Sequence, residues 1–417
     1  MRVLIVTAGS AGDFMPYTGL GVRLQEAGHE VVLATHAGFE DDVRSRGLDF
    51  LPLPMDPRAE LSSSGGQKLV RASTGPLALA HVMRMARAFA PELGRGVLAA
   101  AERGADVMLM NNAVARLGHL VSRALRIPSM GVYLQPWEPT GAFPSAPFGG
   151  HRSLGRWGNR ASAQAVLALA DHVYATSVSD LRARLGLPKG ADSSSLRRES
   201  GEWPVRYAYS PTVLPRPADW RPAAQVAGYL WPARPRGWRP DPALTAFLSA
   251  GPPPVYVGVG SVVAPDPGRL ARITVEALRT VGVRGVVQAG WSGLRAHGDD
   301  VLTVDEVPHD WLFPRMVAVV HAAGAGTTAA GLRAGVPAVP VPVQLDQPAW
   351  AARLTALGVS PGPVPFRRLT AERLATAIRR AVEDPAYRAR ARTVAARIAA
   401  EDGAGRVLAD VERLAAG

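Results

Sequence analysis

The chain has 417 residues, of which 47% are hydrophobic and 20% are charged, and this composition predicts a soluble globular protein with two or three domains. Cysteine is absent, which excludes disulfides and thiolate metal ligands, and no apolar run is long enough to span a bilayer. Without such a run we expect no stable membrane insertion, and the absence of cysteine fits a cytoplasmic location. The net charge of +12 is spread as scattered arginine, so we expect no nucleic-acid partner.

Strand and helix patterns alternate through the first half of the chain. The first strand is predicted at RVLIVTA (2–8), the turn GSAGD follows it, and a helix is predicted from about Phe14 to Ala27. The apolar runs of the predicted strands in this half do not alternate cleanly with polar residues, which indicates strands buried on both faces of a parallel sheet. Further strands are predicted at residues 30–35, 49–54, 106–112 and 128–134.

A proline-rich passage at residues 210–225 interrupts this alternation, and we predict a domain boundary there. The alternation then resumes, with strands predicted at residues 254–261, 284–290, 301–307, 317–324 and 337–343 and helix from Thr370 to Ala416. We therefore predict an α/β protein with two Rossmann-like, doubly wound parallel-sheet domains that face each other across a cleft. The predicted parts are an N-terminal domain (1–217), a linker (218–236), a C-terminal domain (237–395) and a final helix (396–417) that crosses back to the N-terminal domain.

Small residues separate a buried strand from a helix in the stretch HAAGAGTTAAGLRAGVP (321–337). Glycine and alanine at such a turn allow close packing of the strand on the helix. They also leave room for an anion at the helix N-terminus, where free backbone N–H groups and the helix dipole favour negative charge. The turn alone does not decide between these two interpretations.

The motifs of two common cofactor sites are missing. The first turn offers only Gly9 and Gly12, and the next strand ends at Thr35 and His36, so the dinucleotide fingerprint is incomplete, and no phosphate-loop motif occurs. The nine histidines are scattered and form no metal-binding pattern. We therefore expect neither a metal nor a bound cofactor.

Four segments of the second half occur in the order PPVYVGVGS, VPHDWLFP, HAAGAGTTAAGLRAGVP and DQPAW. They resemble the donor-binding region of inverting nucleotide-sugar glycosyltransferases of the GT-B fold, in the bacterial natural-product and sterol branch of the UDP-glycosyltransferase family. In the first half, GSAGDFMPYTGLGVRLQEAGHEV and LQPWEPTGAFPS are similar to the first loop and the acceptor-side loop of that family. The resemblance covers nearly the whole chain, and it implies a UDP- or TDP-linked sugar as co-substrate and no further cofactor.

The resemblance implies that the diphosphate of the donor lies at the turn after His321. Backbone N–H groups near residues 324–328, the hydroxyls of the two threonines there and the ring of His321 would bind its oxygens. The chain departs from the family pattern at Ala322 and Ala323, where the family usually has His-Gly. Ala323 therefore carries a Cβ where a glycine normally permits close backbone approach.

The same resemblance implies residues for the base and the sugar of the donor. Val307 and His309 resemble the segment that holds the base, while Asp346 and Gln347 resemble the pair that binds sugar hydroxyls. Asp346 is also in a position to cap a helix. The donor-binding residues that we expect are Ser10, Gly12, Ser261, Trp291, Val307, His309, His321, Gly324, Ala325, Gly326, Thr327, Thr328, Asp346 and Gln347.

The resemblance also implies a catalytic base in the first loop. Asp13 stands where the base of this branch is usually proposed, and we predict that it deprotonates the acceptor hydroxyl in a displacement that inverts the sugar's configuration. An aspartate with its unperturbed pKa of about 3.9 is only weakly basic, so partial burial would have to raise that pKa. The alternative is that Asp13 only caps the helix predicted from Phe14, and His36 would then be the nearest other candidate.

Apolar side chains in first-domain loops and at strand ends are in positions to line the acceptor side of the cleft. They would suit a large lipophilic acceptor such as a polyketide, macrolide, glycopeptide or sterol, although methionine and aromatic residues are as often part of a core. The acceptor-binding candidates are Met15, Met55, Met110, Trp137, Phe143 and Phe148.

The predicted function is transfer of a sugar from a UDP- or TDP-sugar to a hydroxyl of such an acceptor. A nucleotide-sugar epimerase is one alternative, and it would need further acid–base residues around the sugar and no large acceptor pocket. A non-catalytic sugar-nucleotide-binding auxiliary protein is the other. The pair Ala322-Ala323 favours that second alternative, whereas Asp13, Asp346 and Gln347 disfavour it.

Overall fold

The structure is a computed structural model that describes residues 1–54, 76–146, 151–187, 201–264, 266–296 and 298–416, without the side chains of residues 76–79, 81 and 82. Met55 and Phe148, both predicted to bind the acceptor, lie outside the described residues. The chain forms two parallel sheets, and two apolar clusters pack on each of them. The predicted α/β fold with two parallel-sheet domains is confirmed.

The first sheet, as far as the chain is described, has seven strands in the order β3-β2-β1-β4-β5-β6-β7. Strand β1 lies between β2 and β4, and its Val3, Ile5 and Val6 have no exposed surface because apolar clusters cover both faces of the sheet. The strands are β1 (Arg2–Val6), β2 (Glu30–His36), β3 (Asp49–Leu53), β4 (Val107–Met110), β5 (Ser129–Tyr133), β6 (Val205–Tyr207) and β7 (Ala224–Val226).

The helices of the first domain connect these strands. The first of them begins at Ala11, three residues before the predicted Phe14, because Ser10 is its N-cap. Asp13 is therefore the third residue of the helix and not its cap. The helices are α1 (Ala11–Glu26), α2 (Glu40–Arg44), α3 (Pro76–Ala101), α4 (Ala115–Ala124) and α5 (Gly155–Arg184).

The second sheet has the order β10-β9-β8-β11-β12 in the described part of the chain. Its strands are β8 (Val255–Gly258), β9 (Gly285–Gln288), β10 (Val301–Val304), β11 (Ala318–His321) and β12 (Ala338–Pro340). The remaining helices are α6 (Pro242–Ser249), α7 (Pro267–Val281), α8 (His309–Leu312), α9 (Ala325–Ala334), α10 (Gln347–Ala356), α11 (Ala371–Glu383), α12 (Pro385–Ala399) and α13 (Gly403–Ala415).

The helical stretch predicted from Thr370 to Ala416 is three helices. The first break comes at Asp384, whose carboxylate accepts from the amide of Ala386 at 2.9 Å and so caps α12. The second break comes at Asp402, which caps α13 through the amide of Gly405 at 2.8 Å. No helix in the described ranges is both long enough and apolar enough to cross a bilayer.

The passage between the domains differs from its prediction. Strand β7 lies inside the predicted linker 218–236 and pairs in parallel with β6 as the last strand of the first sheet. Each strand has three residues with a polar one at its centre, Arg206 in β6 and Gln225 in β7, so their sequence lacks the long apolar run by which the other strands were recognised. Beyond β7 the chain stays bonded to the first domain, because Arg46 Nε donates to the carbonyl of Ala233 at 2.8 Å and the amide of Arg236 donates to the carbonyl of Ser45 at 2.7 Å.

Helix α13 packs on the first domain, although it follows the whole of the second. Val407 and Val411 have no exposed surface and belong to the same apolar cluster as Val3 and Leu20. Asp410 on this helix accepts from Arg206 Nη2 of β6 at 2.8 Å. The chain therefore crosses between the domains twice.

Candidate active site

A cavity of about 1100 Å³ lies between the two domains, beyond the carboxyl ends of the strands. Ligands of doubly wound proteins bind at this edge because the loops that follow the strands converge there. The loops after β1, β8, β9, β10, β11 and β12 all reach its wall. The predicted site residues on the wall are Ser10, Gly12, Asp13, Met15, Ser261, Trp291, Val307, His309, Gly324, Ala325, Gly326, Thr327, Asp346 and Gln347.

The start of α9 is an open helix end. Its N-cap is Gly324, which has no side chain to bond the first amides. The first bond within the helix joins the amide of Thr328 to the carbonyl of Gly324 at 2.9 Å, so the amides of Ala325 to Thr327 have no acceptor in the helix. A Cβ built on Gly324 or on Gly326 would meet no atom within 4 Å. Neither glycine is needed for strand–helix packing.

The residue before this turn carries backbone strain. Ala323 has a φ of 61°, a left-handed conformation that costs a residue with a Cβ about 1–2 kcal/mol. Its side chain has no exposed surface and belongs to the core cluster around Val319 and Trp350. The Cβ that replaces the family's usual glycine is therefore turned into the core and does not narrow the cavity.

His321 lies beneath the turn and is not among the residues that line the cavity, and its contact with a phosphate stays a prediction. It is 1% exposed, and burial, with a smaller effect of His309, lowers its pKa to about 3. The ring is therefore neutral at physiological pH. Its Nδ1 accepts from the amide of Ala323 at 3.0 Å, which leaves the proton on Nε2, a buried donor without a hydrogen-bond partner in the described ranges.

Val307 and His309 of the predicted base segment line the cavity. The ring of His309 stacks on Phe313 with centroids 4.3 Å apart and meets Tyr256 edge-on. Burial lowers the pKa of His309 to about 4, so this ring is neutral as well. On the opposite side, Trp291 packs against the apolar cluster of the first domain, and it is part of the contact between the domains.

The two predicted sugar-binding residues begin α10. Asp346 is the N-cap by position, but its side chain does not cap, and its Oδ2 accepts from the indole N–H of Trp350 at 2.7 Å. Burial raises the pKa of Asp346 to about 6. Gln347 turns its side-chain oxygen towards the amides of Val343 and Gln344, at 2.7 and 3.0 Å.

The carboxylate of Asp13 folds back over the start of α1. Its Oδ2 accepts from the amide of Ser10 at 2.8 Å and from the Ser10 hydroxyl at 3.0 Å. This position requires a glycine at residue 9, where φ is 129° and a Cβ would lie 2.4 Å from Oδ2. Burial raises the pKa of Asp13, and the bonds from Ser10 offset part of that effect. Asp13 is thus a better base than a free aspartate.

His36, the other candidate for the base, does not face the cavity. Its side chain is fully buried, with Nε2 accepting from the amide of Gly9 at 3.0 Å and Nδ1 at 3.2 Å from the carbonyl of Pro54. This arrangement puts the proton on Nδ1 and uses both nitrogens. His36 supports the loop that carries Asp13.

Several predicted residues pack elsewhere. Thr328 is 1% exposed, and its amide is bonded within α9. Met110 is fully buried against α4 at Gly118. Trp137 and Phe143 belong to the core beside Trp220 and do not line the cavity.

On the first-domain side, the cavity has a wall that the sequence patterns did not identify. One face of α3 contributes Met85, Phe89 and Leu93, and Leu134 and Tyr174 lie on the same wall. The spacing of four residues along α3 places these side chains on one face of the helix. That spacing was the available signal, but it is also the usual signal of a helix that packs in a core.

Two parallel-sheet α/β domains that face each other across a cleft form the GT-B architecture. Solved glycosyltransferases share this fold. The kitacinnamycin glycotransferase aligns with a TM-score of 0.72 and 19% identity, covering 99% of this chain and 98% of that one. Glycosyltransferase VinC in complex with dTDP aligns with a TM-score of 0.68 and 20% identity, covering 100% and 99%.

Sequence relatives identify the family. The chain is 36% identical to the O-mycaminosyltylonolide 6-deoxyallosyltransferase of Streptomyces fradiae, over 97% of this chain and 95% of that enzyme. It is 35% identical to a sterol 3-beta-glucosyltransferase of Arabidopsis thaliana, over 99% of this chain but only 66% of that enzyme's length. Residues 3–144 match the glycosyltransferase family 28 N-terminal domain, and residues 283–414 match the erythromycin biosynthesis protein CIII-like C-terminal domain. The chain therefore belongs to the family of GT-B glycosyltransferases that these relatives and domains represent.

Proposed function

We propose that the chain is an inverting glycosyltransferase that moves a sugar from a UDP- or TDP-sugar to a hydroxyl of a lipophilic natural product, such as a polyketide, macrolide, glycopeptide or sterol. Asp13 is the general base, and the second domain binds the donor. The names of similar proteins support these classes: one relative is a sterol glucosyltransferase, another is a deoxyallosyltransferase, and one neighbouring structure holds dTDP.

The observation that carries this proposal is the open space at the start of α9. Gly324 has a φ of −64°, and a Cβ on either Gly324 or Gly326 would meet nothing within 4 Å. Neither backbone conformation nor packing therefore requires small residues here. A diphosphate suits this space because its oxygens accept from the free amides of Ala325 to Thr327, and the helix dipole favours its charge.

The transfer is a single displacement. Asp13 takes the proton of the acceptor hydroxyl while the hydroxyl oxygen attacks the anomeric carbon of the sugar. The bond from that carbon to the diphosphate oxygen breaks, and the nucleoside diphosphate leaves with the bonding electrons. The attack comes from the face opposite to the leaving group, so the configuration inverts. The amides of α9 stabilise the charge that develops on the leaving diphosphate.

The acceptor side supports a large apolar substrate. The face of α3 that includes Met85, Phe89 and Leu93 lines the cavity together with Met15 and Leu134. These side chains offer apolar surface and methionine flexibility, which accommodate a rigid lipophilic ring system.

Incubation with UDP-glucose or TDP-glucose and a panel of sterol, macrolide and polyketide aglycones tests the proposal. We expect a glycoside whose anomeric configuration, measured by NMR, is opposite to that of the donor. Retention of configuration would contradict the displacement. Tight donor binding without transfer to any aglycone would favour the non-catalytic alternative, and conversion of the donor to its epimer would favour the epimerase.

We also propose that transfer needs no metal ion. In the described ranges, no three His, Asp or Glu side chains form a group that could hold one, and α9 supplies the positive field for the diphosphate. Activity is expected to be unchanged in EDTA. Loss of activity that one added metal restores would refute this part of the proposal.

A further inference from the structure

One buried glutamine on the cavity wall has an unpaired side-chain oxygen. Gln344 lies in the loop after β12, is 7% exposed and lines the cavity. Its Oε1 is a buried acceptor that no donor reaches in the described ranges. A buried amide oxygen that is left unpaired lowers stability, so proteins seldom keep one without a reason. A ligand in the cavity can supply the missing donor.

The loop around Gln344 is fixed by its own hydrogen bonds. The backbone amides of Val343 and Gln344 donate to Oε1 of Gln347, at 2.7 and 3.0 Å. The next residue, Leu345, has a φ of 53°, a left-handed conformation that residues with a Cβ seldom adopt. Strained backbone of this kind is concentrated in functional loops. The side chain of Gln344 therefore extends from a backbone of defined geometry.

The neighbouring polar side chains differ from Gln344 because each has a partner within the second domain. The carboxylate of Asp346 accepts from the indole N–H of Trp350 at 2.7 Å. The side-chain oxygen of Gln347 accepts from two backbone amides of the loop. In the described part of the chain, the oxygen of Gln344 is thus the open acceptor of this loop.

The strand order indicates which part of a nucleotide sugar Gln344 can reach. Strand β12 is at one edge of the second sheet and β10 at the other, with three strands between them. Adjacent strands are about 4.8 Å apart, so the loops after β12 and β10 begin about 19 Å from each other. The predicted base segment, with Val307 and His309, follows β10. The diphosphate offers only acceptors and cannot pair with an amide oxygen, so the sugar hydroxyls are the matching donors.

We propose that Gln344 is a specificity-determining residue whose side-chain amide binds a hydroxyl of the donor sugar. This inference rests on the proposed function, in which the second domain binds the donor, and it adds a third side chain to the predicted pair Asp346 and Gln347. A hydroxyl suits either end of the amide, because it both donates and accepts. A sugar without that hydroxyl leaves the buried amide unpaired and is rejected. The site therefore favours a fully hydroxylated hexose, such as glucose, over a deoxy sugar that lacks the matching group.

The test compares the parent with Gln344→Leu, which removes the amide and keeps an apolar side chain of similar size. Calorimetry measures affinity for UDP, TDP, UDP-glucose, TDP-glucose and the deoxyglucose analogues of these donors that each lack one hydroxyl. The parent should bind at least one analogue about tenfold or more weakly than the glucose donor, and Gln344→Leu should lose that difference. The affinity for free UDP and TDP should not change. The melting temperature should stay the same or rise, because a buried unpaired amide is removed.

The control is Thr35→Val in β2 of the first domain. Thr35 is fully buried, its hydroxyl has no hydrogen-bond partner in the described ranges, and it is not among the residues that line the cavity. Its replacement therefore also removes a buried unpaired polar group. The melting temperature should respond as in Gln344→Leu, whereas every affinity should equal that of the parent.

If Gln344→Leu discriminates against every deoxy analogue as the parent does, the inference is overturned and the proposed function is left standing. Absence of any nucleotide binding by the parent chain would refute the proposed function, and this inference with it. If Gln344→Leu does not fold, Gln344→Met makes the same comparison with an unbranched side chain of similar length that lacks the amide.

Discussion

Two of the strand-to-helix turns at the cavity, those after β1 and β11, differ in what lies over the start of the helix. After β1, the third residue of the helix is Asp13, whose carboxylate occupies the space over the helix start and accepts from Ser10. After β11, α9 starts at Gly324 with no side chain over its first amides. A helix end that already holds a carboxylate repels a second anion, and an open one attracts it. In the proposed function, the same local structure serves as a base in one domain and as an anion site in the other.

The largest expected effect comes from removing the carboxylate of the first turn. Asp13→Asn should lower kcat for transfer by about 10²–10⁴-fold, because asparagine cannot take a proton. Its side-chain oxygen can still accept from the amide of Ser10, so the helix start and the affinity for the nucleotide sugar should survive. Steady-state kinetics and calorimetry measure the two quantities. A kcat within about threefold of the parent, well short of that range, would show that Asp13 serves only to hold the loop.

The second-largest effect is expected from a side chain that fills the open space at the start of α9. Gly326→Leu should weaken binding of UDP or TDP by about tenfold or more, or about 1.4 kcal/mol, because the side chain projects into the open space at α9. The melting temperature should stay the same or rise, since leucine is a better helix former than glycine.

The matched control is Gly268→Leu, at the same second position of α7 but outside the cavity. It should leave nucleotide affinity unchanged. A large drop in the melting temperature of Gly326→Leu with unchanged affinity would instead show that the small residues serve packing.

A third test uses the acid that faces Asp13 across the cavity. The folded-state pKa of Asp346, about 6, is above its ordinary value of 3.8. This raised pKa adds stability below pH 3.8 that is lost as the pH rises through 6. At pH 7.5 the ionised group therefore costs stability, by up to about 3 kcal/mol. Asp346→Asn should melt higher than the parent at pH 7.5 and show a smaller difference at pH 4.

The control variant, Asp300→Asn, should change the melting temperature in the opposite direction. The bond from Arg279 lowers the pKa of Asp300 on the surface of the second domain. Asp300→Asn should therefore melt lower than the parent at pH 7.5, with the difference shrinking as the pH falls. If both variants shift in the same direction at pH 7.5, burial is not what governs Asp346.

The smallest effect concerns the strained residue of the second turn. Ala323→Gly relieves a left-handed conformation worth about 1–2 kcal/mol. It also adds about 0.5–1 kcal/mol of backbone entropy cost and removes a buried methyl worth about 0.8 kcal/mol. These terms nearly cancel, so the free energy of unfolding and the nucleotide affinity should both stay close to those of the parent. A gain of tenfold in affinity would mean that the Cβ of Ala323 does obstruct the donor.

The alternation of strands and helices in the sequence predicted both sheets, because buried parallel strands are continuous apolar runs. Strands β6 and β7 were missed because Arg206 and Gln225 stand at their centres, so neither lies in a continuous apolar run. Strand β12 is just as short, but it lies in the apolar run 337–343 and was predicted. The start of α1 was predicted three residues late because Ala11, Gly12 and Asp13 were assigned to the turn GSAGD.

Motif position predicted which loops reach the cavity, but not which side chains point into it. His321 and Thr328 belong to the motif, yet both are buried behind it. Met110 stands at the end of a strand, where β4 turns it into the core. The contribution of α3 to the cavity wall depends on contacts distant in sequence, and no local pattern carries it.

The return of α13 to the first domain sets a rule for building hybrid enzymes. A Cβ on Gly403 would lie 2.5 Å from the carbonyls of Gly228 and Tyr229, and Val407 and Val411 complete the first domain's core. The second domain is thus an insert with two junctions. A chimera that borrows the donor specificity of a relative should exchange only the segment between about Arg236 and Asp402 and keep the native α13. A graft that runs to the last residue would replace part of the first domain's interior as well.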